Sequence, residues 1–158
     1  MMDKRELILE RLLALLGAVN GTADPLNIFR NRAEIPIEKL PALVLLDGKE
    51  DLKYPDLPHT RGGVRVSAVF DLKPQVFIVL RPRDDINNVG VGEELSGLRM
   101  QVIKIFTQDD QLINGLLGSN GEVMYLGHET DLQTGSTVLG QMQLNFRLSY
   151  VLNPSDFN

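Results

Sequence analysis

Between Gly140 and Tyr150 apolar and polar residues alternate without a break. Met142, Leu144, Phe146, Leu148 and Tyr150 fall on one side of the pleat, and Gln141, Gln143, Asn145, Arg147 and Ser149 on the other, because successive strand side chains leave opposite faces. The pattern predicts a half-buried strand. Five large side chains on one face need a covering layer, and two stretches with helical spacing supply it. In the first, Leu9, Leu12, Leu13 and Leu16, flanked by Ile8, Leu15 and Val19, line one face while Lys4, Arg5, Glu6, Glu10 and Arg11 keep the other wet. Asp3 followed by Glu6 predicts a capping box at its start, and Gly17 or Asn20-Gly21 its end. The leucine stripe suits a partner helix or the sheet, and the sheet is the expected use. The second helix is predicted from Glu93 onward, with Leu95, Leu98, Val102, Ile105 and Phe106 inward and Glu93 and Glu94 in a first turn where the helix dipole favours negative charge.

The remaining pattern is shorter-ranged. Residues 22 to 40 read as irregular, broken by Pro25 and Pro36, with Pro41 just beyond. Ala42 to Leu46 is apolar on both faces and predicts a strand covered on both sides, closed by a turn at Asp47-Gly48. Lys49 to Gly63, charged and containing two prolines, reads as an exposed loop. Val64, Val66, Ala68, Phe70 and Leu72 alternate, Lys73-Pro74 reads as a turn, and Gln75 to Leu80 returns, which predicts an antiparallel hairpin. After the second helix come a turn at Gly118 to Gly121, a short strand at Glu122 to Leu126 and a polar loop over Gly127 to Thr137. The order α-β-β-β-α-β-β predicts one α+β domain, its mainly antiparallel sheet packed by two amphipathic helices.

At 158 residues, 43% hydrophobic and 23% charged, the chain has the composition of an ordinary globular domain. A net charge of -5 argues against non-specific nucleic-acid or anionic-membrane binding, and the absence of cysteine rules out disulfides and thiol chemistry. No apolar run approaches the ~20 residues of a membrane span, so a soluble cytosolic protein is expected. Candidate chemistry is sparse. Gly90-Val-Gly92 with Gly97 lacks the spacing of a dinucleotide fingerprint, and Gly115 to Gly121 lacks the Gly-Lys-Ser/Thr ending of a phosphate loop. His128-Glu129-Thr-Asp131 has no second histidine one helical turn on, and His59 sits alone in a charged segment. The pairs Asp84-Asp85 and Asp109-Asp110 read as turn and cap residues. No catalytic residue, metal site or cofactor is expected.

Several segments together carry a resemblance. The N-terminal Arg5-Glu-x-Ile-Leu-x-Arg-Leu-Leu13 helix, Phe29-Arg-Asn-Arg32, Leu40-Pro-Ala-Leu-Val-Leu-Leu-Asp-Gly48, Gly121-x-x-x-Tyr125-x-Gly127 and the Gly140-to-Tyr150 strand with its Asn-Pro tail resemble, in order and spacing, the tail terminator proteins of long-tailed bacteriophages and prophages. The resemblance implies a non-enzymatic virion protein. It would form a hexameric ring that caps the tail tube, stops its polymerisation and offers the head a docking surface. The implied partners are further copies of the chain, the major tail tube protein and a head-tail connector protein. A connector or neck protein is the alternative within that setting, and a small-molecule-binding or enzymatic domain the alternative outside it. Candidate contacts are Arg30 and Arg32 beside Phe29, Arg81, Arg83, Asp84 and Asp85 in one charged connector, and Gln141, Gln143, Asn145 and Arg147 on the terminal strand's polar face. That face suits a subunit contact, a ring lumen or plain solvation. With the apolar residues assigned to one core, charged loops and amides are the surface expected to drive assembly.

Overall fold

The computed structural model describes residues 3–21, 25–55, 60–62, 64–65, 67–82, 89–118, 121–133 and 139–153. In chain order they form helix α1 (Lys4–Leu16), strand β1 (Asn27–Arg30), a 3₁₀ turn (Ile37–Lys39), β2 (Ala42–Leu52), the two-residue strands β3 (Thr60–Arg61) and β4 (Val64–Arg65), and β5 (Ala68–Val79). Helix α2 (Val89–Gln108), a π-helical segment (Gln111–Leu117), β6 (Glu122–Gln133) and β7 (Leu139–Leu152) follow. Five strands make a mixed sheet in the order β1-β2-β5-β7-β6, in which β1 runs parallel to β2 and every other pair is antiparallel. The fold is α+β, with the helices on one face of the sheet.

Alternation along β7 sets the core. Met142, Leu144, Phe146, Leu148 and Tyr150 are buried against Leu9, Leu12 and Leu16 of α1 and Leu95, Leu98, Val102 and Phe106 of α2 in one cluster. The Phe146 ring meets Phe106 at 5.0 Å and Tyr125 at 5.4 Å, centroid to centroid, in tilted geometry that suits aromatic quadrupoles. Close approach fixes Gly140, since a Cβ there would lie 2.4 Å from Val91 Cγ1 of α2. Strand β7 is also the hinge of the topology, flanked by β5 and β6 along nearly its whole length.

Several expectations are corrected. The proposed hairpin at Lys73-Pro74 is one continuous strand, with Leu72, Pro74, Val76, Ile78 and Leu80 all buried on the helix side. Proline is tolerated there because β2 carries a bulge: Leu46 faces Gln75 and Lys49 faces Lys73, so Asp47 and Gly48 together oppose Pro74, which has no N–H to pair. Asp47-Gly48 is therefore this bulge and not a closing turn, and β2 continues through Lys49–Leu52, part of the expected loop. Val66, part of the predicted strand, lies outside the described residues, as do Ser119 and Asn120 of the predicted turn. Asn27–Arg30, inside the stretch read as irregular, forms the parallel edge strand, too short to show a period. Strand β6 extends to Gln133, well past Leu126, and takes in most of the expected polar loop. Helix α2 begins at Val89, so Glu93 and Glu94 follow its first turn. The capping box is half formed. Asp3 accepts from the Arg5 N–H at 3.0 Å, but Glu6 turns to Arg30 and not back to the cap.

Candidate interaction face

The sheet face away from the helices is partly exposed: Ala42, Val44 and Ser149 are buried on it and Phe77, Val79, Gln141, Gln143 and Asn145 are half-buried, and its side chains follow from the strand register. One row across it reads Asp51, Asp71, Ser149, Glu122; another reads Leu46, Gln75, Asn145, Gly127; a third reads Val44, Phe77, Gln143, Glu129; and a fourth begins Ala42, Val79, Gln141. Between the first two, Lys49 stands opposite Lys73 and Met124 opposite Arg147. The face is banded: charge at one end, amides in the middle, apolar side chains at the other.

Neighbouring charges in the bands satisfy one another. Lys73 and Lys49 reach Asp51 at 3.4 and 3.6 Å, and Arg147 and Lys53 each reach Glu122 Oε1 at 3.6 Å. The Ser149 hydroxyl, fully buried, donates to Asp71. Arg147 also donates to Met124 Sδ at 3.3 Å, while its buried Nε has no partner among the described residues. In the amide band Asn145 Oδ1 accepts from Gln75 at 3.2 Å and from Gln143 at 2.9 Å.

At the apolar end lies a hollow of about 550 Å3, floored by Val44, Leu46, Phe77 and Val79 and rimmed by Arg32 and Gln141. A second hollow of about 330 Å3 shares Phe77 and Gln141 and continues to Gln143 and Glu129. Half-buried Phe77 thus stands as a ridge between two depressions. The sequence reading assigned the apolar residues to one core, and this strip corrects it in part: Ala42 and Val44 are buried on this face, as an apolar run covered on both sides predicts, while Leu46, Phe77 and Val79 stay partly exposed on it.

The sequence-derived contact residues divide. Gln141, Gln143, Asn145 and Arg147 lie together on the open face. Arg32 is exposed at the rim of the hollow, its guanidinium 4.8 Å from the Phe29 ring centroid. Arg30 faces inward and works within the fold. Its guanidinium forks between Glu6 of α1 and Asp47 of the β2 bulge at 2.5 to 2.9 Å, so both carboxyls are held below their ordinary range, chiefly by these hydrogen bonds. Arg81 donates Nε and Nη2 to the Leu40 carbonyl at 3.2 and 2.9 Å and ties the end of β5 to the start of β2. Arg83, Asp84, Asp85 and His59 lie outside the described residues. The residues that sequence reasoning missed are Leu46, Phe77 and Val79; their alternation with Leu45, Val76 and Ile78 was the available signal.

Other expected chemistry resolves structurally. Asp109 accepts from Arg11 at 2.8 and 2.9 Å and from the Leu112 N–H at 2.9 Å, which makes it a cap and a tie between the helices. His128 sits on a strand and not in a loop: it pairs with Leu144 on the helix side, its Nδ1 3.0 Å from the Tyr125 hydroxyl, while Glu129 leaves the opposite face. Alternation therefore separates the two. Among the described residues no group of three His, Asp or Glu side chains is placed to hold a metal ion, and no helix is long and apolar enough to cross a membrane.

Fold and face together define an α+β layer protein with helices on one sheet face and a partly exposed, hollowed second face. Neither the protein-family models nor the curated proteins compared with this chain contain a match.

Proposed function

We propose that this chain is a phage tail terminator: a protein that closes into a hexameric ring on the end of the tail tube, stops tube polymerisation and presents the surface to which the head docks. Its site of action is the head-proximal end of the virion tail, reached from the host cytoplasm, and its partners are its own copies, the major tail tube protein and a head-tail connector protein. The resemblance in segment order motivates this reading, and the open sheet face is the observation that carries it. A sheet with helices on one side and an apolar hollow on the other supplies two unlike surfaces on opposite sides of one protomer. Unlike patches make heterologous contacts, which close into a ring when the rotation between copies allows. The role is mechanical, with Gln141, Gln143, Asn145 and Arg32 as contact residues and no reaction to perform.

Sedimentation of the purified protein across concentration, with assembled tail tubes added in a second series, tests the proposal. The expected result is a six-copy species favoured at high concentration, binding to tube ends and a limit on tube length. A protein that stays monomeric throughout and neither binds tube ends nor limits their growth would sink it.

A further inference from the structure

The stripe of α2 that turns away from the core carries Glu93, Ser96, Gly97, Met100 and Lys104, all exposed. Met100 is 56% exposed, with a weak 3.7 Å contact from Arg99 Nη1 to its sulfur, and a Cβ added at Gly97 would meet nothing within 4 Å. In order the stripe reads anion, small residues, apolar side chain, cation, over roughly 16 Å at 1.5 Å per residue. Across the open sheet face, the residues from the β1 edge to β6 read cation at Arg32, aromatic ridge at Phe77, anion at Glu129, over about 19 Å for four strand spacings. The two sequences of charge are complementary. Arg32 also differs from Arg5, Arg11, Arg30 and Arg147, each of which stands within 4 Å of a carboxylate; among the described residues Arg32 contacts only an aromatic face.

We propose that the outer face of α2 in one copy packs across the open sheet face of the next, with Met100 in the hollow beside Phe77, Glu93 toward Arg32 and Lys104 toward Glu129. A thioether against an aromatic edge is a favourable contact, and the small residues at 96 and 97 let the helix approach the sheet. The partly exposed strip of Leu46, Phe77 and Val79 then receives a helical cover like the one the sheet's other side already has. The contact is heterologous, and it deepens the ring reading, on which it rests, by naming the two surfaces that meet.

The native chain has no cysteine, which makes cross-linking decisive. Met100→Cys protein mixed with Phe77→Cys protein should give a disulfide-linked pair on mild oxidation, while neither variant alone should link to itself. Lys104→Cys with Glu129→Cys repeats the test at exposed positions should Phe77→Cys fold poorly. Glu93→Lys and Arg32→Glu should each weaken association by about tenfold, and mixing the two variants should restore it at the matched contact. Self-linking of Phe77→Cys would mean that sheet faces pair with each other and would overturn the proposal. Hexamers in sedimentation with no cross-link at either cysteine pair would overturn it too, yet leave the ring reading standing; loss of association at every concentration together with no binding to tube ends would remove both.

Discussion

A Cβ built at Gly48 would lie 1.9 Å from the Lys73 carbonyl oxygen, and the backbone there has φ +71. Both the contact and the left-handed conformation exclude other residues, so Gly48→Ala should lower stability by about 3 kcal/mol in a urea titration. A loss under ~0.5 kcal/mol would show that the bulge rearranges freely. On β7 the two faces should respond differently. Phe146, fully buried between Phe106 and Tyr125, should lose ~3–5 kcal/mol on truncation to Ala. Asn145→Ala removes an acceptor shared by Gln75 and Gln143 on a half-open surface and should lose only about 1 kcal/mol.

At the scale of elements, Arg30 joins α1, β1 and the β2 bulge through Glu6 and Asp47, and Arg5 reaches the same Asp47 at 3.7 Å. Both carboxyls have folded-state pKa values below their ordinary 4.5 and 3.8. Their contribution is therefore fully present above those ordinary values and is lost as pH falls through the lower folded ones. Stability should be flat from pH 7 to 5 and begin to decline below about pH 4.5, and Arg30→Met should flatten that decline. Asp109, held low mainly by Arg11, keeps a part of the acid dependence in the variant. Urea midpoints at pH 7, 5, 4 and 3 for both proteins measure this; identical acid profiles would show that the network is not coupled to folding. None of these ties was visible in the sequence, because Arg30 lies 24 residues from Glu6 and 17 from Asp47. The same distance problem hid β5. Pro74 signals a turn locally, and only the bulge on another strand makes it part of a sheet. What could be read from one stretch at a time was read: the helical spacing around Leu12 and Val102, and the alternation of β7 with its polar side. The hollow needed the neighbours of β7, since Val44 and Phe77 become one surface with Gln143 only when β2, β5 and β7 are placed side by side.

For the whole molecule, the balance between charge and apolar contact decides how assembly behaves. Exposed ion pairs contribute ~0–1 kcal/mol each and fade with salt, so the pairs Glu93–Arg32 and Lys104–Glu129 supply little net stability between copies. Covering Met100, 56% exposed, removes apolar surface from water at about 25 cal/mol per Å2, which is about 1–1.5 kcal/mol, with a smaller addition from the half-buried Phe77, and is insensitive to screening. The apolar term is the larger. The sequence alone suggested the opposite, a ring held by charged loops and dissolved by salt. With the hollow in view, raising salt from about 0.05 to 0.5 M should weaken association only several-fold, whereas Met100→Ala should weaken it by about tenfold. Charge still sets register and encounter rate, so reversing Arg32 should slow association more at low salt than at high. Sedimentation equilibrium of the native chain and the Met100 variant over that salt range separates the cases. A loss of two orders of magnitude with salt, together with no effect at Met100, would return the contact to the charged segments around Arg83 and Asp85 and leave the open face to another partner.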